Sequence, residues 1–195
     1  MKISTLVLLT LLIQSAHAEL NLQPTEISRE VAGFPFKLLQ FSDDNNSVTY
    51  EPPTGWTYIS RGSSVMILRP PDNSTAEAKI EVVKDATPLV FDEEHMPTLA
   101  AMAKALVPPG GELVGEPTVL AGRASFDNRP SCYIQTTYLF YGSKHTHSQL
   151  LVENGQTKLK FGLISPAEKF EKFQAEFTRS WASWQWLIAD RAASN

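Results

Sequence analysis

The sequence has little cysteine, no basic cluster, and no long apolar run beyond its first residues. Cys132 is the single cysteine among 195 residues, so the chain cannot close an internal disulfide and is not a disulfide scaffold. The formal net charge is −4, and no basic run occurs, which argues against nucleic acid and anionic membranes as partners. A composition of 43% hydrophobic and 19% charged residues instead favours a folded domain with a real core.

The motifs of common enzyme chemistry are also missing. There is no Gly-x-Ser-x-Gly nucleophile turn, no phosphate-holding glycine loop and no His-Glu-x-x-His zinc motif. No two carboxylates have a convincing glycosidase spacing. Asp92, Glu93 and Glu94 form an acidic cluster that is typical of a helix entry, with a calcium site as the alternative. The sequence therefore favours a protein that is not an enzyme and needs no cofactor.

Residues 1–18 have the three parts of a secretory signal peptide. Lys2 supplies the positive charge, an apolar run follows from Ile3 to Ile13, and Ala16 and Ala18 occupy the positions that signal peptidase reads. The run is about half of the roughly 20 residues that a bilayer span needs, so a membrane anchor is the weaker interpretation. We expect cleavage after Ala18 and a periplasmic or secreted protein with no transmembrane segment in its mature chain.

The remaining chain divides into an N-terminal arm at 19–47, one domain at 48–188 and a C-terminal tail at 189–195. The arm contains two prolines, and we expect a short helix in it around Glu26 to Ala32. Four extended segments then open the domain, at 48–50, 56–59, 64–68 and 78–83.

A change of period marks the first helix of the domain. Leu99, Met102, Ala103 and Leu106 fall at i, i+3, i+4 and i+7, which is one face of a helix. Pro97 suits its first turn, and the run from Pro108 to Gly111 ends it.

The next stretch predicts a three-strand meander. Strands are expected at 131–141, 144–153 and 156–164, joined by two-residue turns at Gly142-Ser143 and Asn154-Gly155. Cys132 then falls on a central strand as a small core residue, with an intermolecular disulfide as the alternative. The turns fix the pairing. One face would carry Leu139, Thr146 and Leu163, then Gln135, Leu150 and Leu159; the other would carry Tyr138, His147 and Gly162, then Thr136, Gln149 and Lys160.

The last predicted element is a helix that begins at Ser165. Ser165 is its N-cap, Pro166 its first residue and Glu168 the partner of a capping box. Its apolar stripe consists of Phe170, Phe173, Phe177, Trp181, Trp184 and Ile188. We expect Trp181 and Trp184 to be buried against Leu150, Leu159 and Leu163.

This order of elements resembles the PsbP-like family. The stretch from Tyr50 to Trp56, Tyr-Glu-Pro-Pro-Thr-Gly-Trp, is similar to the family's opening motif. The strand at 80–83 followed by a helix, the late meander, and the Phe-rich helix with Ser180 and Ser183 near its end are similar too. The resemblance covers roughly residues 48–188.

The resemblance implies an α/β/α sandwich, an α+β arrangement in which helices enclose an antiparallel sheet. The family includes the extrinsic subunit of photosystem II, a Ran-binding nuclear-transport factor and many exported bacterial proteins of unknown role. Its members share a fold used to bind other macromolecules and no common catalytic site. Because the chain has a secretory signal and no plastid transit segment, the exported bacterial branch fits best.

Three candidate sites follow from the residues. His145 and His147 point to one face of a strand and are two potential metal ligands, with His95 or Glu153 as a third; the alternative is ordinary polar residues beside a turn. A second site is a polar groove or a solvated sheet face. It would be formed by Tyr138, His147, Gln149 and Lys160.

The third candidate is Trp186, which lies opposite the apolar stripe of the last helix. Such a tryptophan would anchor a partner; the alternatives are that the helix ends before it or that the N-terminal arm covers it. We therefore favour an exported, non-enzymatic binding or assembly module whose partner is another protein in the envelope or outside the cell. The alternative is a metal- or small-ligand-binding protein, or a weak enzyme. It would use the face that holds His145, His147, Tyr138 and Lys160.

Overall fold

The computed structural model describes residues 20–187 except 32, 44–45, 73, 85–88, 122–125, 127–128 and 155–156. The predicted signal peptide, its cleavage site and the tail at 189–195 lie outside the described residues. The strands are β1 Asn21–Val31, β2 Phe34–Asp43, β3 Asn46–Tyr50, β4 Thr57–Arg61, β5 Val65–Arg69, β6 Glu77–Lys84, β7 Glu112–Leu113, β8 Thr118–Ala121, β9 Ser131–Phe140, β10 Ser143–Asn154, β11 Thr157–Pro166 and β12 Gln185–Leu187. The α-helices are α1 Met96–Lys104 and α2 Phe170–Trp181.

The strands form two antiparallel sheets. The large sheet has the order β4-β5-β6-β11-β10-β9-β7, and β8 also pairs with β9. The small sheet has the order β1-β2-β3-β12 and joins the two ends of the domain. Because the predicted meander forms the middle of the large sheet, every other element is positioned relative to it.

The large sheet packs against a hydrophobic core on each face. Leu159, Phe161 and Leu163 of β11 face a core that contains Phe173 and Phe177 of α2 together with residues of the small sheet. The opposite face carries a second, smaller core in which α1 covers apolar residues of β9 and β10. Its buried members are Leu99, Ala103, Cys132, Ile134 and Leu151. The predicted fold class, an antiparallel sheet between helices, is therefore confirmed, with the small sheet as an addition to the α2 side.

Two local predictions on the α1 side are also confirmed. The helix has Pro97 in its first turn and buries Leu99 and Ala103. Cys132 lies fully buried in β9, and burial raises the pKa of its thiol to about 11. A thiol that is protonated at neutral pH and closed off from solvent is a structural residue.

The helix expected around Glu26 to Ala32 is wrong, since β1 extends through Val31. The β1 strand pairs with β2, with Ile27 opposite Leu38, and buries Leu22 in the core. Local helix propensity is a weak preference that tertiary pairing overrides. Here the pairing satisfies the backbone groups along a long hairpin.

The predicted start of the last helix is wrong as well. Ser165 and Pro166 continue β11, opposite Thr146 and His145, so no capping box forms. Residues 167–169 make a 3₁₀ turn, and α2 begins only at Phe170. The Ser165 hydroxyl donates to the carbonyl of Pro166. Strand pairing with β10 holds Pro166 at φ −51° and ψ 137°, so the residue after Ser165 is not helical and the capping box cannot form.

The last helix also ends earlier than predicted. It stops at Trp181, and the chain then turns into β12, which contains Trp186. Of the two tryptophans that were predicted to be buried, the prediction is confirmed for Trp184, whereas Trp181 is only half-buried. Trp184 is buried and Trp181 packs on the same core, which includes Leu150, Leu159 and Leu163.

A hydroxyl relay ties the end of α2 to β3. Tyr50 is fully buried, and its hydroxyl lies 2.6 Å from Ser180 Oγ, which is also 2.6 Å from the carbonyl oxygen of Glu51. A serine hydroxyl has one proton, so Tyr50 donates to Ser180 and Ser180 donates to Glu51. Ser183 Oγ accepts from the backbone N–H of Glu51 at 2.8 Å.

Replacement of Ser180 by alanine should lower the free energy of unfolding by about 1–3 kcal/mol, because it leaves the buried Tyr50 hydroxyl without its acceptor. Urea unfolding measures this change. The exposed Ser143→Ala substitution is the control and should stay within about 0.5 kcal/mol of wild type. Equal stability of the two variants would contradict the relay.

Candidate functional site

The meander keeps the predicted faces but shifts the pairing between β9 and β10. Tyr138 lies opposite His145, where the sequence predicted His147, and His147 lies opposite Thr136. The turn consists of Tyr141 and Gly142, both with positive φ, at 47° and 78°. Glycine prefers the second position of this type I′ turn, whereas the predicted Gly142-Ser143 turn would have placed it first.

The register between β10 and β11 also differs from the predicted one, which placed Gly162 opposite His147. Asn154 lies opposite Thr157, so Gly162 lies opposite Gln149, and Lys160 lies opposite Leu151. The predicted Asn154-Gly155 turn falls partly outside the described residues. The consequence for the predicted groove is that His147, Gln149 and Lys160 share a face but are offset along it.

Among the predicted site residues, His147 has the pKa that departs most from its usual value. Its Nδ1 lies 3.2 Å from the carbonyl oxygen of Leu106, which can only accept, so Nδ1 carries the proton. Its Nε2 lies 3.5 Å from the amide nitrogen of Gln149. Burial lowers the pKa of His147 to about 4, helped by the charge of Lys79 and opposed by the hydrogen bond with Leu106. At neutral pH this side chain is a neutral imidazole with its lone pair on Nε2.

The other potential metal ligands have partners of their own. His145 stacks on the ring of Tyr138, with centroids 5.8 Å apart. His95 Nδ1 lies 2.6 Å from a carboxylate oxygen of Asp92, and Glu153 accepts from the backbone N–H of Leu89. Within the described part of the chain, no three His, Cys, Asp or Glu side chains converge as metal ligands do. Metal binding by His145 and His147 stays a prediction.

Charged residues line the part of this face that lies away from α1. Lys160 pairs in register with Glu81, and Glu81 forms an ion pair with Lys79 at 3.6 Å. Further toward the edge, Ile59 of β4 has 57% of its surface exposed. The arrangement is that of a solvated sheet surface with paired charges.

A shallow cleft of about 330 Å³ lies where the Pro-rich turn meets α2. Its wall includes Glu51, Pro53, Glu176 and Arg179. Trp56 packs against α2 next to this cleft: its indole N–H donates to Glu176 at 2.9 Å, and its ring meets Phe173 edge to face. The stretch that resembles the family's opening motif thus acts here as the contact between β3 and α2.

The tip of the β9–β10 hairpin is a feature that the sequence interpretation missed. Tyr141 is 93% exposed, the ring of Phe140 lies 4.5 Å from its ring, and Leu139 is 38% exposed. Lys144 is exposed on the other strand. The signal was present in the sequence, since a residue followed by glycine between two β-type runs is typical of a type I′ turn.

Trp186 is half-buried, and Arg129 covers its ring. The Arg129 guanidinium carbon lies 4.0 Å from the ring centroid. Phe126 and Trp184 meet the ring edge to face at 6.0 and 5.9 Å. β12 holds the tryptophan in place through the pairing of Trp186 with Val48.

Comparison with known proteins gives the fold and no function. No protein-family model matches the chain, and no curated protein does. Among solved structures, the chain is similar to LpqN, involved in cell envelope biogenesis of Mycobacterium tuberculosis. The identity is 11%, the TM-score is 0.51, and the match covers 85% of this chain and 92% of LpqN. At this identity the match establishes a shared fold and nothing beyond it.

Two further solved structures have lower scores. Cyanobacterial PsbP (CyanoP) from Synechocystis sp. PCC 6803 is 13% identical with a TM-score of 0.46, over 80% of this chain and 96% of CyanoP. A protein of Bacteroides thetaiotaomicron is 14% identical with a TM-score of 0.42, over 71% of this chain and 44% of that one. In the described residues, no helix has the length and apolar character that crossing a membrane requires.

Proposed function

We propose that this chain is an exported, non-enzymatic binding or assembly module of the PsbP-like family. Its partner is a protein in the bacterial envelope or outside the cell, and it docks through the hairpin tip. The hairpin tip comprises residues 139–144. The observation that carries the proposal is Tyr141, a large aromatic residue that is 93% exposed in a left-handed backbone conformation.

The position of Tyr141 is costly for the isolated fold. A residue other than glycine in the left-handed region costs about 1–2 kcal/mol, and asparagine or glycine would avoid most of it. Because the ring is almost fully exposed, its burial in the fold does not offset this free-energy cost. A tyrosine on a rigid turn, with Phe140 beside it and Leu139 and Lys144 around it, has the composition of an interface hot spot. Binding of a partner would bury the ring, and the free energy of that burial would offset the conformational cost.

A photoreactive amino acid at position 141 tests this directly in cells that export the protein. We expect one discrete protein adduct at position 141. The control is position 59 in β4, at the opposite edge of the large sheet, where Ile59 is also strongly exposed. An adduct pattern that is the same at both positions, or no adduct at position 141, would contradict docking through the hairpin tip.

Tyr141→Asn separates the binding role from the folding role. Asparagine tolerates positive φ, so the variant should gain roughly 1 kcal/mol in the free energy of unfolding while it loses partner binding. Thermal unfolding and co-purification measure the two effects. A variant that is more stable and still binds fully would show that the ring is not the anchor.

A second candidate function is metal or small-ligand binding on the face that carries His145, His147, Tyr138 and Lys160. Its support is the neutral, half-buried His147, whose Nε2 lone pair faces an amide that a ligand could displace. Metal analysis of the purified protein distinguishes the two candidates. Stoichiometric zinc or copper that is lost in His147→Ala would favour this function over the first.

A further inference from the structure

Three hydrogen-bond donors without acceptors lie together where the small sheet meets the large one. In the described part of the chain, five buried side-chain polar atoms lack a partner. Three of the five are Arg129 Nε, Trp184 Nε1 and Trp186 Nε1. Such groups are normally satisfied, and a concentration of them at one place calls for a physical explanation.

Direct contacts join these three side chains. The Arg129 guanidinium stacks on the ring of Trp186 at 4.0 Å, and the Trp184 and Trp186 rings lie 5.9 Å apart. A backbone hydrogen bond of 2.9 Å from Arg129 to Phe126 holds the arginine over the ring. We call these three residues the Arg–Trp cluster.

All of the unsatisfied atoms in the Arg–Trp cluster are donors, and one belongs to a permanent cation. Stacking occupies the flat face of a guanidinium and leaves its N–H edge available for a planar or tetrahedral oxyanion. No carboxylate among the described residues forms an ion pair with Arg129. The cost of burying a charged donor without an acceptor is higher than for a neutral one.

We propose that the Arg–Trp cluster is a binding site for an oxyanion, either a carboxylate or a phosphate group. The guanidinium edge of Arg129 supplies a positive charge and paired N–H donors. The indole N–H groups of Trp184 and Trp186 supply two neutral donors. This site is independent of the hairpin tip, so either proposal can fail without the other.

Indole N–H signals in a ¹H–¹⁵N spectrum test the site. The chain has four tryptophans, so the signals are few, and Trp186→Phe and Trp184→Phe assign two of them. Titration of the full mature chain with inorganic phosphate should move the Trp184 and Trp186 signals saturably. The Trp56 signal should stay in place, because its N–H donates to Glu176. A parallel titration with acetate distinguishes a phosphate site from a carboxylate site.

Arg129→Gln should weaken the phosphate affinity at least about tenfold, since it removes a charge-assisted hydrogen bond. Arg129→Lys keeps the positive charge but loses the paired N–H donors of the guanidinium, so its phosphate affinity should lie between those of wild type and Arg129→Gln. If Arg129→Gln does not fold, Arg129→Lys is the variant to be measured. Arg69→Gln is the matched control, because Arg69 is exposed and paired with Glu77, and it should bind as wild type does. The proposal would be overturned if phosphate and acetate both shift the Trp184 and Trp186 signals no more than chloride does at equal ionic strength. Wild-type affinity in both Arg129 variants would overturn it as well.

Discussion

Replacement of Trp184 by alanine is expected to lower the free energy of unfolding by about 3–5 kcal/mol, the range for a large aromatic residue removed from a core. Trp184 is 3% exposed and joins the two sheets. Its ring stacks on Phe41 of β2 at 5.5 Å and meets Phe161 of β11 edge to face at 5.3 Å. The variant therefore leaves a cavity between the sheets. Urea unfolding of the purified mature chain measures the loss.

Leu187→Ala provides the control from the same end of the chain. Leu187 lies in β12, three residues beyond Trp184, and is 44% exposed. Its truncation should change the free energy of unfolding by about 0.5 kcal/mol or less, as exposed positions usually do. If the two substitutions cost the same, the tryptophan does not bridge the sheets.

The second large effect is a loss of stability in mild acid through His147. Its pKa is about 4 in the folded chain and 6.5 when unperturbed, so between these values the unfolded state binds the proton and the folded state does not. The stabilisation is complete above about pH 7 and decreases as the pH falls through 6.5 toward 4. One pKa unit corresponds to about 1.4 kcal/mol, so the total loss amounts to about 3 kcal/mol.

The difference between wild type and His147→Gln isolates this contribution from that of the carboxylates. The glutamine variant should unfold with a weaker pH dependence between pH 7 and pH 4 than wild type. His95→Gln is the control, because the His95 side chain is 42% exposed and lies beside Asp92 at the entry to α1. A wild-type pH profile in His147→Gln would mean that the histidine titrates normally in the fold.

The sequence predicted those elements whose signal is local and repeated. The period of 3.6 residues from Leu99 to Leu106 predicted α1, and the alternating aromatic and β-branched residues predicted the meander with the correct faces. Both signals persist over several residues, so a single competing contact does not reverse them.

The errors arose where a long-range pairing decides the structure. Ser165 and Pro166 form a strong helix-start signal, yet their neighbours on β10 hold them in β11. Glu26 has no local reason to be extended, and its pairing with Leu39 of β2 makes it so. Such pairings join residues that are distant in sequence, so no short window of sequence contains them.

The candidate sites depended even more on pairing. A shift of two residues in the β9–β10 register moved Tyr138 from His147 to His145. Arg129 and Trp186 are far apart in the sequence, and no sequence motif predicts their contact. A shared fold does not determine a role, so the proposals rest on particular side chains and not on architecture.

The most direct test of the account is the affinity of the purified mature chain for the protein captured at position 141, compared between wild type and Tyr141→Asn. A hot-spot residue contributes about 2 kcal/mol or more, so the account predicts a dissociation constant at least about 30-fold weaker for the variant, with equal or higher stability. Equal affinity of the two chains would contradict docking through the hairpin tip.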